Sequence, residues 1–372
     1  MSPGPYPIID RIGTEVLRWR GLGADGIEAI GDAFDALAGR TVLVTGSAGS
    51  IGGQLARRLA GGRIERLVLV DASEAGQFRL DLDLASTSVP REICLGDVGD
   101  EPFVDHVFER FRPQVVLHAA AYKHVPMLEV HPRQAVRSNV LGTRCVAEAA
   151  DRWGSERLVM VSTDKAVSPA GVMGASKKLA ELYLRTRPVD AGCRFSSVRF
   201  GNVIESSGNV FEVFARQLEL GERLTVTDSR AERYFMTLAE AAALVARAAS
   251  LGAGGEVFVL NMGQPVSIER IARRMAELAG RDAADAVEFV GLRPGEQLDE
   301  RLFESHEHPV ATGVPGIRRA EGPIVDAELV ESAIAMLEDA ASTGVDGVGE
   351  CLVRAMAMVE CHPAASGVAD AN

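Results

Sequence analysis

Three neighbouring side chains, Thr163, Asp164 and Lys165, put a hydroxyl, a carboxylate and an amine side by side, and Lys177 follows within the segment Met173-Gly174-Ala175-Ser176-Lys177. Groups of these types move protons to and from a bound molecule when they line a cleft. Met173 and Lys177 are four residues apart, so on a helix they share a face one turn from each other. A tyrosine at position 173 would make an ordinary Tyr-x-x-x-Lys pair for nicotinamide chemistry. Methionine cannot take a proton, so proton transfer passes to the Asp164-Lys165 pair, while Met173 itself reads as core packing. Taken alone, Asp164-Lys165 reads equally as a surface ion pair of little energetic weight.

Upstream, Thr45-Gly46-Ser47-Ala48-Gly49-Ser50-Ile51-Gly52 follows the β-branched run Thr41-Val42-Leu43-Val44 and leads into the helical pattern Gln54–Leu59. In that context Gly46 makes the turn, Gly49 lets a diphosphate approach the backbone, and the helix N-terminus faces its charge. Ser47, Ser50, Ile51 and Gly52 complete the expected dinucleotide-binding turn. Asp71 ends the next strand about twenty residues on, where a carboxylate accepts from ribose hydroxyls and repels a 2′-phosphate. This favours NAD over NADP. Asp97 and Val98, after the third strand, read either as an adenine contact or as a simple turn.

Continuous apolar strands at 41–44, 67–70, 92–95, 115–118, 158–161 and 195–199 alternate with helical patterns. That alternation predicts an α/β fold, a doubly wound parallel (Rossmann) sheet covered on both faces, with a smaller C-terminal substrate-binding lobe. Val257–Leu260 is expected to rejoin or border the sheet. The predicted division is a helical leader over 1–38, a dinucleotide-binding domain over 39–201 plus about 236–263, a substrate lobe over 202–235 plus 264–340, and a C-terminal helix with a disordered tail over 341–372. In the leader, Ile8, Ile9, Ile12, Val16 and Leu17 form an apolar stripe expected to dock on the core or on a partner subunit.

The 372 residues are 47% hydrophobic and carry a net charge of -13, which argues for a packed core and against a nucleic-acid surface. Five cysteines stand singly without metal-ligand spacing, so neither a metal site nor a disulfide framework is predicted, in keeping with a reducing cytoplasm. No apolar run approaches the length of a membrane span. A soluble, cytoplasmic protein is expected.

In order, the segments 45–52, His118-Ala119-Ala120-Ala121-Tyr122-Lys123-His124-Val125-Pro126, Ser162–Val167, Met173–Lys177, Arg233-Tyr234-Phe235-Met236-Thr237 and Arg293-Pro294-Gly295-Glu296 together resemble the UDP-N-acetylglucosamine 4,6-dehydratase family of polysaccharide biosynthesis. These are extended short-chain dehydrogenase/reductases. The resemblance covers about 20–330, and Asp25–Gly39 resembles the connector that precedes the catalytic part in longer, membrane-bound members. It implies a tightly bound NAD(P) that accepts a hydride from C4 of a UDP-sugar, loss of water across C5 and C6, and return of the hydride to C6.

On that resemblance, Asp164 is the acid for the C6 hydroxyl, Lys165 the base at C5, and Thr163 holds the C4 oxygen. The C4 proton goes either to Asp164, acting twice, or through Thr163 and Lys177. Ala119, Ala120, Ala121, Lys123 and Lys177 border the cofactor, and Lys123 and His124 also border the substrate. Arg233 and Arg293 are expected as diphosphate clamps and Glu296 as a ribose acceptor. Arg199 and Asn202, at the junction of the lobes, read as substrate contacts or as a structural salt bridge and turn. The chain departs from the family at Gly208-Asn209-Val210-Phe211-Glu212, where Gly-Ser-Val-Ile-Pro is usual, and at Gln297, where lysine is common. Alternatives are a C5-inverting dehydratase and a nucleotide-sugar C4 epimerase, and a homodimer or larger homo-oligomer is expected.

Overall fold

The computed structural model describes residues 6–22, 33–188, 192–344 and 346–360. Much of the connector-like segment and all of the expected tail at 361–372 lie outside the described residues. The central sheet has nine strands. In chain order they are β1 (Thr41–Thr45), β2 (Arg66–Asp71), β3 (Arg91–Leu95), β4 (Val115–His118), β5 (Arg157–Val161), β6 (Arg194–Arg199), β7 (Glu256–Leu260), β8 (His308–Ala311) and β9 (Ile317–Glu321). Their spatial order is β8-β9-β7-β6-β5-β4-β1-β2-β3. Neighbours from β3 through β7 are parallel, and β9 and β8 add on antiparallel.

The order reverses direction between β1 and β4, which opens a crevice at the carboxyl ends of those strands. Every residue of β1 is buried because helices cover both faces, and that is why the strand reads as an unbroken apolar run. Leu43 points into one face, packed under α4 (Glu101–Phe111), α6 (Gly142–Arg152), α7 (Val172–Thr186), α11 (Ala327–Thr343) and α12 (Val348–Glu360). Val42 and Val44 point into the other, under α2 (Ser50–Ala60) and α9 (Leu238–Leu251). Between α2 and α4 lies α3 (Glu74–Asp83), and α5 (Val125–Val130) precedes α6.

Residues 308–321, expected in the substrate lobe, instead extend the large sheet. The sequence concealed this because β8 and β9 are partly exposed and polar, and Pro309 is tolerated only on an edge strand. A third apolar cluster joins α1 (Pro7–Trp19), α8 (Val210–Glu219) and α10 (Ile268–Leu278) around Phe211, Phe214, Phe235 and Met275. The leader's stripe is thus used within the chain, with Ile12 and Val16 fully buried there. Arg20 then pairs with the buried Glu240, Nη2 to Oε1 at 2.5 Å, on the first turn of α9.

Candidate active site

The glycine turn is shaped by backbone contact. Gly46 has φ +66°, and a Cβ there would sit 2.6 Å from the Ala120 amide nitrogen. A Cβ on Gly52 would meet the Gly46 carbonyl oxygen at 2.0 Å. Both positions therefore require glycine, and the N-terminal amides of α2 are left facing the crevice, with Gly49 as the N-cap. This cradle fits a dinucleotide diphosphate.

Asp71 accepts hydrogen bonds from the Ala48 amide at 2.9 Å and the Ser73 amide at 2.8 Å, so its carboxylate braces the turn at the end of β2. Ser50 and Ile51 are half-buried at the start of α2. Ser47 is fully buried and bonds to Val70 and Gln77 beneath the turn, which makes it a support and not a lining residue. Val98 is likewise buried in the core, while Asp97 is exposed and closes a turn by accepting from the Gly99 amide. Ala119 and Ala120 hang from Thr45 through hydrogen bonds to its carbonyl and hydroxyl, and Ala121 is open to the crevice.

β5 carries Thr163, Asp164 and Lys165 to its carboxyl end. The Thr163 hydroxyl donates to Asp164 Oδ1 at 2.9 Å, and Lys165 Nζ lies 3.1 Å from the same oxygen. Asp164 is fully buried, so Thr163 and the partly exposed Lys165 are the members that the trio presents to the crevice. This excludes the surface ion pair. Asp164 is itself held away from the surface, its Oδ1 engaged by Thr163 and Lys165.

Lys165 Nζ also lies 2.6 Å from Glu300 Oε1. Burial works against its charge, but Asp164 and Glu300 outweigh burial and hold the ammonium above the ordinary lysine range. Lys177 is buried on α7 one turn from Met173. Burial brings its pKa down to about 8 against the opposing charge of Glu181. Met173, grouped with the catalytic residues by its place in the motif and weighed against core packing, packs with Leu128 and Ala135.

The substrate side departs further from expectation. Lys123 and His124 are exposed after β4, and the His124 ring lies where a side chain at Gly208 would clash, at 2.5 Å. Arg199 is fully buried between Glu181 and Glu307, with contacts of 2.7 and 2.6 Å, and serves as a structural ion pair instead of a substrate contact. Arg233 donates to the carbonyls of Glu232, Leu298 and Gln297 and places Nε 3.0 Å from Glu300, so it anchors a loop instead of standing open as a clamp. Arg293 and Glu296 bond to each other at 2.5 Å, Arg293 being the exposed member. Asn202 joins the proton-active group, its amide bonding to Glu300 at 3.2 Å and its carbonyl lying 3.4 Å from Lys165.

Several buried supports escaped sequence reasoning. Asn139, in a π-helical turn over Val136–Leu141, bonds both backbone groups of Tyr122 and the Ser176 hydroxyl. His118 bridges Thr45 and Thr143; burial, with the Lys177 charge, takes its pKa down to about 3. Glu300 lies in Gln297-Leu298-Asp299-Glu300-Arg301, which reads as a solvated loop, and no spacing connects it to Lys165. Among the described residues no cluster suited to a metal ion occurs, and no helix is long and apolar enough to cross a membrane.

A family model described as polysaccharide biosynthesis protein matches residues 42–321. The chain is 42% identical over 279 residues to the capsular polysaccharide biosynthesis protein CapD of Staphylococcus aureus, covering 73% of this chain and 47% of that protein. It spans about half the length of the first curated relatives that it matches. Among solved structures, Pen from Bacillus thuringiensis is 29% identical with a TM-score of 0.71, over 77% of this chain and 88% of that one. The UDP-glucose 4-epimerase of Thermus thermophilus, in complex with NAD, is 26% identical with a TM-score of 0.60, over 70% and 90%.

Proposed function

From the chain's membership of the polysaccharide biosynthesis protein family, shown by the match over 42–321, we propose that it is a nucleotide-sugar 4,6-dehydratase. It converts UDP-N-acetylglucosamine to a UDP-4-keto-6-deoxy sugar. The observation that carries this reading is the Thr163-Asp164-Lys165 cluster at the end of β5, combined with a buried methionine where a proton-accepting tyrosine would stand.

The residues fit a nicotinamide dinucleotide. Gly46, Gly49, Gly52 and the first turn of α2 would hold its diphosphate, Asp71 its adenosine ribose, and Lys177 its nicotinamide ribose. Bound there, it would supply the hydride acceptor and donor. Asp71 favours NAD, because a carboxylate beside the turn repels a 2′-phosphate.

The remaining work belongs to protons. Thr163 holds the C4 oxygen and passes the C4 proton to Asp164, to which it already donates. Once C4 is a ketone the C5 proton is acidic, and Lys165, as a neutral amine, removes it. Asp164 returns its proton through Thr163 to the departing C6 hydroxyl, so one carboxyl serves two steps. Arg293 and Lys123 would meet the nucleotide diphosphate, Arg293 after releasing Glu296.

A second reading, C4 epimerisation, draws on the likeness to the Thermus enzyme. It leaves the proton-active cluster without work at C6. The test is incubation with UDP-N-acetylglucosamine in deuterated water, followed by NMR. Loss of the C6 hydroxyl with one deuterium at C5 supports the dehydratase, and the C5 configuration separates retention from inversion. An intact C6 hydroxymethyl group with inverted C4 would instead establish the epimerase.

A further inference from the structure

A lysine can act as a base only after losing its proton, and Lys165 sits where losing it is hard. Asp164 lies 3.1 Å and Glu300 2.6 Å from Nζ. Of these two, Asp164 is engaged by Thr163 and has its own proton traffic in the proposed reaction. Glu300 has no other part in that reaction. Its side chain is 1% exposed, its Oε2 accepts from Asn202, and its Oε1 lies 2.6 Å from Lys165 and 3.0 Å from Arg233, with Asp164 also alongside.

We propose that Glu300 is a positioning residue that takes the proton from Lys165 and so frees the amine to act at C5. The inference rests on the reading of Lys165 as the C5 base. In the step, a Lys165 N–H bond breaks as a Glu300 O–H bond forms; the freed amine pair then takes the C5 proton, and the Glu300 proton leaves after product release. No oxidant or further reactant is needed.

Two other observations bear on it. Burial first, and then repulsion from Asp164, raise the Glu300 carboxyl to about 7 against the attraction of Lys165 and Arg233, so it can hold a proton near neutrality. Besides Asp164, Lys165 and Arg233, the charged or titratable groups around this pair are Lys123 and Tyr234, both of which feel its charges. Secondly, only four of the 39 basic residues are lysines, namely Lys123, Lys165, Lys177 and Lys178. Lys123 is exposed and Lys165 partly exposed, while Lys177 and Lys178 are buried, Lys178 against Glu304. Elsewhere arginine carries the positive charge, and arginine does not release its proton.

With so few lysines, protein labelled at lysine Cε gives four signals that single Lys→Arg variants assign. In the holoenzyme the Lys165 signal should show an inflection near pH 7 in addition to its alkaline titration. Glu300→Gln should remove that inflection, lower the alkaline midpoint by about one unit or more, and cut turnover of UDP-N-acetylglucosamine at least about 100-fold with bound nicotinamide unchanged. Glu300→Asp, which keeps the carboxyl, should stay within about tenfold of the parent.

Absence of the inflection in the parent protein overturns the proposal, even if Glu300→Gln does not fold. An aspartate variant as inactive as the glutamine one also overturns it, because packing would then explain the loss. A parent protein that titrates as described but leaves C6 intact would count against the dehydratase reading alone.

Discussion

Lys165 and Met173 show how the same side chain changes meaning with its surroundings. In the sequence Lys165 is half of an i,i+1 pair with Asp164, a pattern common on solvated turns. In the fold it is an ammonium held by two carboxylates, one of which comes from residue 300. Lys165→Ala should lower turnover at least about 100-fold while the protein still retains its dinucleotide. Lys165→Arg keeps the positive charge but cannot free a basic nitrogen, so it should be as inactive as the alanine variant. Product NMR and the nicotinamide absorbance of the purified protein read both expectations. An active arginine variant would mean that position 165 acts by charge alone. Met173 was legible from its type, because a thioether has no proton to exchange whatever packs around it.

At the level of elements, the segment after Leu302 clips α7 to the sheet. Glu304 is bonded by Lys178 at 2.7 Å and by the backbone and hydroxyl of Ser168. Burial raises its carboxyl, but the Lys178 charge and these hydrogen bonds outweigh burial and bring it down to about 2 from 4.5. A carboxyl held lower in the folded chain than in the unfolded one stabilises the fold above about pH 4.5. That contribution, on the order of 2–3 kcal/mol, is lost as pH falls toward 2. Glu304→Gln should therefore lower the melting temperature at pH 7 and flatten its decline between pH 4.5 and the acid limit, measured by calorimetry across pH. An unchanged slope would place the acid sensitivity elsewhere, His118 being the alternative, since its stabilisation as a buried neutral ring is lost below pH 6.5. None of these contacts has a local signature, because Ser168, Lys178 and Glu304 belong to three separate elements.

Across the whole molecule, the leader helix α1 joins the third cluster instead of standing apart. Ile12 is fully buried against it, Glu15 pairs with Arg274 at 2.8 Å, and Arg270 stacks over Trp19 at 3.9 Å. Ile12→Ala should destabilise the protein by about 2–4 kcal/mol in denaturant titration. It should also weaken substrate binding more than dinucleotide retention, because α1 braces α8 and α10 and not the glycine turn. A loss of stability within about 0.5 kcal/mol of zero would mean that α1 docks weakly.

What the residues determined by themselves was local and periodic. The unbroken apolar runs announced parallel strands buried on both faces, the glycine spacing announced a turn that no Cβ could enter, and the adjacent Thr163, Asp164 and Lys165 announced a polar cluster at a strand end. Tertiary structure decided which charges meet. Arg233 looked free for a diphosphate and Arg199 read equally as a substrate contact or a structural salt bridge, yet Glu300 with a loop of carbonyls encloses the first and Glu181 with Glu307 the second. The edge strand β8 and its neighbour β9 joined the sheet without an apolar run because this end of the sheet buries only part of its surface. Partners brought together from separate elements leave no period in the sequence, and burial then makes their pairing obligatory, since an unpaired charge in that interior would cost several kcal/mol.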